Sequence, residues 1–291
     1  MIPRFDFTCP RSLDEALTVL AKNSETVTVI AGGTDVIPGM QQGDVRFCAT
    51  QTVLDVHHLT ELRSVIKDGA GWRLGAALTF SEIAAHARIR AEFPLLAQAA
   101  ASIGSVQIRN RATIAGNFVN NAACADSVPP LLVYDARVHV RSLKGEREVP
   151  LAEFLLAPNI TVLARDELVT EVLLPAVPSG YAGRFFKLGR RRGIAVSRIT
   201  LALLLKMNAS AVADVRIAGG AVTPIGARFP ELESTVRGKT ASENLWASLA
   251  QDLGKAVLER TGLRWSSAYK LPVLQQALFG MLCDLSSARH A

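Results

Sequence analysis

Apolar residues fall at Leu13, Ala16, Leu17 and Leu20, the i, i+3, i+4, i+7 spacing of a helix with one buried face. Ser12 and Glu15 precede and open this stretch in the S-x-x-E arrangement where the serine oxygen caps the helix and the glutamate returns the bond. The β-branched run Val27–Ile30 predicts a strand, as do residues 52–56 and 72–75. Thr79 and Glu82 repeat the capping signal and predict a helix through Arg88, and residues 93–103 read as an alanine-rich helix stopped by Gly104. Asp126 is placed to cap a further helix whose first turn tolerates Pro129 and Pro130. Residues 137–142 and 147–150 flank Leu143-Lys144-Gly145-Glu146 as a β-hairpin, and residues 168–174 form another strand. Two prolines and a glycine between Pro175 and Gly180 interrupt both periodicities and mark a domain boundary. Beyond it, strands at 184–188, 199–207 and 212–218 precede helices at 242–260 and 268–285, the order of an α+β domain.

Composition narrows the class. The chain has 291 residues, 49% of them hydrophobic, enough for about two or three compact units with a substantial core. Its longest apolar segment, 199–205, is flanked by Arg198 and Lys206 and is too short to span a bilayer. With no charged start leading into an apolar stretch, the expectation is a cytoplasmic protein without membrane insertion. Cys9, Cys48, Cys124 and Cys283 lack any C-x-x-C spacing, which predicts free thiols rather than a zinc site or a cysteine-held cluster. The net charge of +6 and the run Gly189-Arg190-Arg191-Arg192-Gly193 raise nucleic acid as a partner. No aromatic platform or reading motif accompanies the run, so the excess charge points to an anionic cofactor or an acidic partner surface.

The informative chemistry sits in two glycine-bearing turns. Ala31-Gly32-Gly33-Thr34-Asp35 follows the first strand, and Thr113-Ile114-Ala115-Gly116-Asn117 follows residues 107–111. Either turn alone reads most simply as a tight turn. Together they read as a cradle for one diphosphate, because glycine admits close backbone approach and successive N–H groups form a nest for phosphate oxygens. Asn117, Asn120, Asn121 and Asp126 then crowd amide and carboxylate groups into a short stretch, as a ligand with many polar atoms requires. Other chemistry is missing. Gly238-Lys239-Thr240 resembles a P-loop end, but Glu233 stands where its first glycine belongs, and G-x-G-x-x-G, G-x-S-x-G and H-E-x-x-H do not occur. His57 and His58, on a strand, face opposite ways. Asp126 as a base and Lys187 or Arg190 as an electrophile have no partner at a telling spacing, so the reactive group must come from an organic cofactor.

Ala31-Gly32-Gly33-Thr34-Asp35, Gln107-Ile108-Arg109-Asn110-Arg111-Ala112-Thr113-Ile114-Ala115-Gly116-Asn117, Ala125-Asp126-Ser127, Phe186-Lys187-Leu188-Gly189-Arg190-Arg191 and Ser267-Ala268-Tyr269 resemble the FAD-binding medium subunits of the molybdenum hydroxylases, above all the xanthine dehydrogenase type. The resemblance covers nearly the whole chain. It implies an α+β fold: a two-lobed FAD-binding domain at 1–176, its lobes roughly 1–56 and 57–176, then a C-terminal α+β domain at 181–286 with a three-stranded antiparallel sheet and helices. It implies that the backbone of Ala31, Gly32, Gly33, Thr34, Asp35 and Val36 and that of Thr113, Ala115, Gly116 and Asn117 hold the pyrophosphate of non-covalent FAD. Asn121 joins this binding set, Asp126 sits near the ribityl and adenosine part, Leu168 and Lys187 approach the isoalloxazine, and Ile103 lies against the ring. No residue of the chain is assigned a catalytic or metal-binding role.

The partners implied are a molybdopterin-binding large subunit and a [2Fe-2S] small subunit, assembled as a dimer of heterotrimers, with NAD as electron acceptor. A carbon monoxide, aldehyde or nicotinate dehydrogenase type of complex, a free-standing flavin oxidase, and a non-enzymatic phosphate or nucleic-acid module are the alternatives. Two departures bear on the site. Ala115-Gly116 stands where many members carry Gly-Gly, which requires residue 115 to keep a negative φ. Only Cys124 falls between the second turn and the hairpin, so no additional cluster is expected.

Overall fold

The computed structural model describes residues 4–69, 71–189 and 196–287; the arginine run at 190–192, with Gly193, lies outside them. Near the N-terminus come β1 (Asp6–Thr8), α1 (Leu13–Asn23), β2 (Val27–Ile30), α2 (Val36–Gln42) and β3 (Thr52–Asp55). Their strands pair in parallel in the order β1-β3-β2, with Ile30 opposite Asp55. Parallel pairing brings the chain out of β2 and β3 at one edge, the edge where ligands bind in open α/β sheets. Helix α1 buries Leu13, Ala16, Leu17 and Leu20 as its spacing predicts. The Ser12 hydroxyl accepts the Glu15 N–H at 3.2 Å, but the Glu15 carboxylate takes the Arg11 N–H at 2.6 Å, one residue from the expected return bond.

A second sheet is antiparallel, in the order β4 (Val65–Asp68), β5 (Gly71–Gly75), β10, β6 (Arg137–Ser142), β7 (Gly145–Pro150), where β10 is Leu168–Pro175. Six helices intervene between β5 and β6: α3 (Phe80–Ala85), α4 (Ala87–Glu92), α5 (Pro94–Ser102), α6 (Val106–Arg109), α7 (Ile114–Val119) and α8 (Val128–Val133). The capping box at Thr79 and Glu82 is complete, yet the helix stops early, because extended His86 accepts the Ile89 N–H on its ring and opens α4. Asp126 does not cap α8. Ser127 holds that position without a side-chain capping bond, and the Asp126 carboxylate is engaged elsewhere. Before β10 come α9 (Leu151–Phe154) and the small pair β8 (Leu155–Ala157) and β9 (Ile160–Thr161).

The third sheet, β11 (Tyr181–Gly189), β12 (Ser197–Asn208), β13 (Ala211–Gly220) and β14 (Ala227–Arg228), is antiparallel in chain order and is followed by α10 (Pro230–Val236), α11 (Glu243–Thr261) and α12 (Ser267–Ser287). The two-residue β14 adds a fourth edge to the three strands that patterning displays. The continuous apolar run of β12 has a simple cause. Ile199, Leu201, Leu203 and Leu205 pack with α11 and α12, whereas Ala202 and Leu204 join the core around α5 and α8, so both faces are covered. Among the described residues no helix is long and apolar enough to cross a membrane.

Candidate functional site

The turn after β2 lies directly against the second motif. A Cβ on Gly32 would stand 2.2 Å from the Arg111 carbonyl oxygen and 2.9 Å from the Ala112 Cα, so only glycine permits this contact. The Arg111 Nε donates to the Gly32 carbonyl at 3.4 Å. Gly33 has φ of 74°, in the left-handed region. Among the described residues the N–H groups of Gly32, Gly33, Thr34, Asp35 and Val36 donate to no group of the chain. Five neighbouring donors without an acceptor, held in a turn, form a nest for anionic oxygens.

The second motif departs from the expected nest. Thr113 is the N-cap of α7 and its hydroxyl accepts the Gly116 N–H at 3.2 Å. Ile114 and Ala115 donate to the Leu78 and Ala76 carbonyls at 2.9 and 3.2 Å, and Asn117 donates to the Thr113 carbonyl at 3.1 Å. Of this stretch only the Thr113 N–H is left over for a ligand. Ala115 is helical and keeps the negative φ that its side chain demands.

The two motifs enclose a cleft of about 260 Å³, lined from the expected set by Ala31, Gly32, Gly33, Thr34, Asp35, Val36, Thr113, Ala115, Gly116, Asn117 and Leu168. Asn120, one of the crowded amides, lines it too, whereas patterning missed other walls: Ala76, Ala77 and Val169 supply apolar surface, and Arg46, Phe47 and Glu167 polar and aromatic surface. Arg46 ties the first unit to the second. Held by Asp44 at 2.7 Å, its Nη1 donates to Asn120 Oδ1 at 2.8 Å and Asn159 Oδ1 at 3.0 Å. The Asn120 amide in turn donates to Asp35 at 2.9 Å. Burial pushes the Asp35 carboxyl above its ordinary range, outweighing the Thr34 hydroxyl and the Arg46 charge. No spacing signal marks Arg46, since the Asn120 and Asn159 that it bridges lie far away in sequence.

Ile103, Asn121, Asp126 and Lys187 do not line this cleft. Asn121, in a left-handed conformation with φ of 46°, spends its amide on the Ala157 and Ile160 carbonyls at 2.7 and 2.9 Å. That role closes a loop. The other three form a separate locus. Lys187 Nζ donates to Asp126 Oδ2 at 2.6 Å and to the Ser102 carbonyl, next to Ile103, at 2.8 Å. The Ser197 hydroxyl donates to the other Asp126 oxygen. Asp126 is buried, and burial raises its pKa against the opposing pull of Lys187 and Ser197. With both oxygens bonded it is no free base. A Ser127 to Asn117 bond of 2.7 Å joins this locus to the cleft wall.

The remaining candidates fall away. His57 and His58 sit in a turn rather than a strand, and the His58 ring lies 2.8 Å from the Pro10 carbonyl. Among the described residues no cluster of three His, Cys, Asp or Glu side chains is placed to hold a metal ion.

Comparison with known proteins gives the family and the fold. Residues 3–177 match the family model described as FAD binding domain in molybdopterin dehydrogenase, and residues 184–285 match the CO dehydrogenase flavoprotein C-terminal domain. A xanthine dehydrogenase FAD-binding subunit of Escherichia coli O157:H7 is 30% identical over 266 residues, covering 91% of this chain and 90% of that one. The glyceraldehyde dehydrogenase medium chain of Sulfolobus acidocaldarius is 30% identical over 274 residues, 94% of this chain and 95% of its own. Among solved structures, the carbon monoxide dehydrogenase of Hydrogenophaga pseudoflava superimposes with a TM-score of 0.90 at 27% identity, covering 99% of both chains.

Proposed function

From the premise that the chain belongs to the family of FAD-binding subunits of molybdenum hydroxylases, we propose that it is the flavin station of a xanthine dehydrogenase-like complex. In this reading it receives electrons from an iron–sulfur subunit and delivers them to NAD. The observation that carries the cofactor assignment is the row of unengaged N–H groups from Gly32 to Val36, opposed by Thr113 and floored by glycine–backbone contact. These donors would take the diphosphate oxygens of FAD, where hydrogen bonds to a charged acceptor are strongest.

A cleft of about 260 Å³ is too small for a whole dinucleotide. The diphosphate would occupy it, with Leu168, Val169 and Ala76 offering apolar contact, and the ring end would extend toward Ile103, Asp126 and Lys187. Asn121 would act at one remove, by fixing the loop that carries Asp126. The Asp126 carboxylate holds the Lys187 ammonium in place and balances its charge, so the cation is positioned without a free counter-ion in the site. Bound FAD supplies the two-electron redox chemistry, which is why the chain needs no acid–base pair of its own. The same reading divides the chain into an FAD-binding domain at 1–176 and a C-terminal domain at 181–286, and gives it a molybdopterin-binding large subunit and a [2Fe-2S] small subunit, as a dimer of heterotrimers in the cytoplasm.

The purified chain should show the two visible absorption bands of oxidised flavin, or acquire them on addition of FAD; a colourless protein that FAD cannot reconstitute overturns the assignment. Co-purified with its partners, the complex should reduce NAD when given a purine. The C-terminal match to a CO dehydrogenase flavoprotein favours a second reading, a complex acting on carbon monoxide, nicotinate or an aldehyde, and a substrate screen of the same preparation decides between them.

A further inference from the structure

Helices α11 and α12 are joined by a link whose residues 262–265 are all exposed. Leu263 and Trp265 there are 85% and 82% exposed, and Val196, just before β12 and two residues before Arg198, is 72% exposed. The Arg198 guanidinium lies over the Trp265 ring, 5.8 Å from its centre. Lys270, on the first turn of α12, reaches back to the Ala221 carbonyl at 2.7 Å. Its burial, then the charges of Arg198 and Arg264, pull its pKa below the usual lysine range. Among the described residues neither Arg198 nor Arg264 has a carboxylate partner. Arg198 thus sits on the exposed indole with Arg264 and Lys270 close enough to repel one another's charge, and among the described residues none of the three is paired with a carboxylate.

That arrangement costs the free chain electrostatic energy, and an acidic surface brought against it removes the cost and steers the encounter. Tryptophan and arginine are the residues that most often anchor interfaces, and exposed Leu263 and Val196 extend the apolar part. A nucleic-acid strand would use a row of rings for successive bases, whereas a single indole beside aliphatic side chains suits a protein. The patch is also wired to the Asp126–Lys187 locus. The Ala221 N–H donates to the Ala123 carbonyl at 2.6 Å, so two hydrogen bonds separate Lys270 from the loop that carries Asn121 and Asp126. A partner seated there stands beside the cofactor locus, where an electron donor has to be.

We propose that the surface formed by Val196, Arg198, Leu263, Arg264, Trp265 and Lys270 docks an acidic, partly apolar face of the electron-donating iron–sulfur subunit. This inference rests on the complex described above. To test it, the chain is co-expressed with its large and small subunits, and subunit stoichiometry and small-subunit affinity are measured for the wild type, W265A, L263S and the pair R198E/R264E. Each variant should keep its flavin and its melting temperature as an isolated chain, yet bind the small subunit about tenfold or more weakly, and wild-type affinity should fall with salt. Unchanged small-subunit content in all three variants overturns the surface while the complex stands. A wild-type chain that retains FAD but assembles with neither subunit overturns the complex and the surface with it. Wild-type binding of a DNA oligonucleotide that the same variants abolish overturns the choice of a protein partner.

Discussion

At the scale of single residues, the glycines of the two motifs are not equivalent. Gly32 faces main-chain atoms that cannot move aside, whereas a Cβ on Gly116 would meet only the Thr113 hydroxyl at 2.9 Å. Gly32→Ala should therefore weaken FAD retention by about tenfold or more, from strain of about 1 to 3 kcal/mol, and Gly116→Ala much less; flavin-to-protein absorbance ratios read the difference. Buried Asp126 pairs with half-buried Lys187, and Asp126→Ala leaves the ammonium without its counter-charge. The expected loss is about 3 to 5 kcal/mol, recovered in part by adding Lys187→Met, as denaturant unfolding would measure. Glu167 accepts from Arg147 through both oxygens at 2.7 Å and from the Ala164 N–H at 2.8 Å. The Arg147 bonds foremost hold its carboxyl below the usual range, against partial burial. A depressed folded-state pKa stabilises above the unfolded value and is lost as pH falls through the folded one. The melting-temperature gap between wild type and Glu167→Gln should accordingly be full at neutral pH and close under acid.

Elements show which of these features are local. The α3 capping box joins Thr79 and Glu82 within one turn, and the Phe80 N–H beside it bonds the Ala112 carbonyl next to Thr113. Thr79→Ala should cost about 1 kcal/mol of stability and also loosen the second motif, seen as a modest fall in FAD affinity. Strand β12 was legible as a strand because its continuous apolar run, 199–205, is too short for a buried helix, and its double burial follows from side-chain alternation. Helix α2 carries Pro38 and Gly39 within seven residues, too short and too poor in helix formers to leave a periodic signature. The early end of α3 was hidden for a different reason: His86 caps the next helix with its ring, a use of histidine that spacing rules do not anticipate.

Across the whole molecule the cleft exists because separate stretches converge. Helix α1 packs with Leu62, Ala77 and Leu168 from the second unit, and Arg46 pins Asn120 and Asn159 across the gap. Arg46→Ala should lower FAD affinity by about tenfold, the scale of a lost charged hydrogen bond, and speed proteolysis between the units, measured by flavin titration and limited digestion. The Thr79–Glu82 capping box, strand alternation, the glycine turns and the family they signal were determined by the sequence alone, because each depends on neighbours within a few residues or on a motif matched as a string. Only the tertiary structure decided that Gly32 touches Arg111, that the N–H groups after Thr113 are already taken, and that Asp126 serves Lys187 rather than a helix end. Those outcomes depend on which distant acceptor or backbone arrives within bonding distance, and no local pattern encodes that arrival.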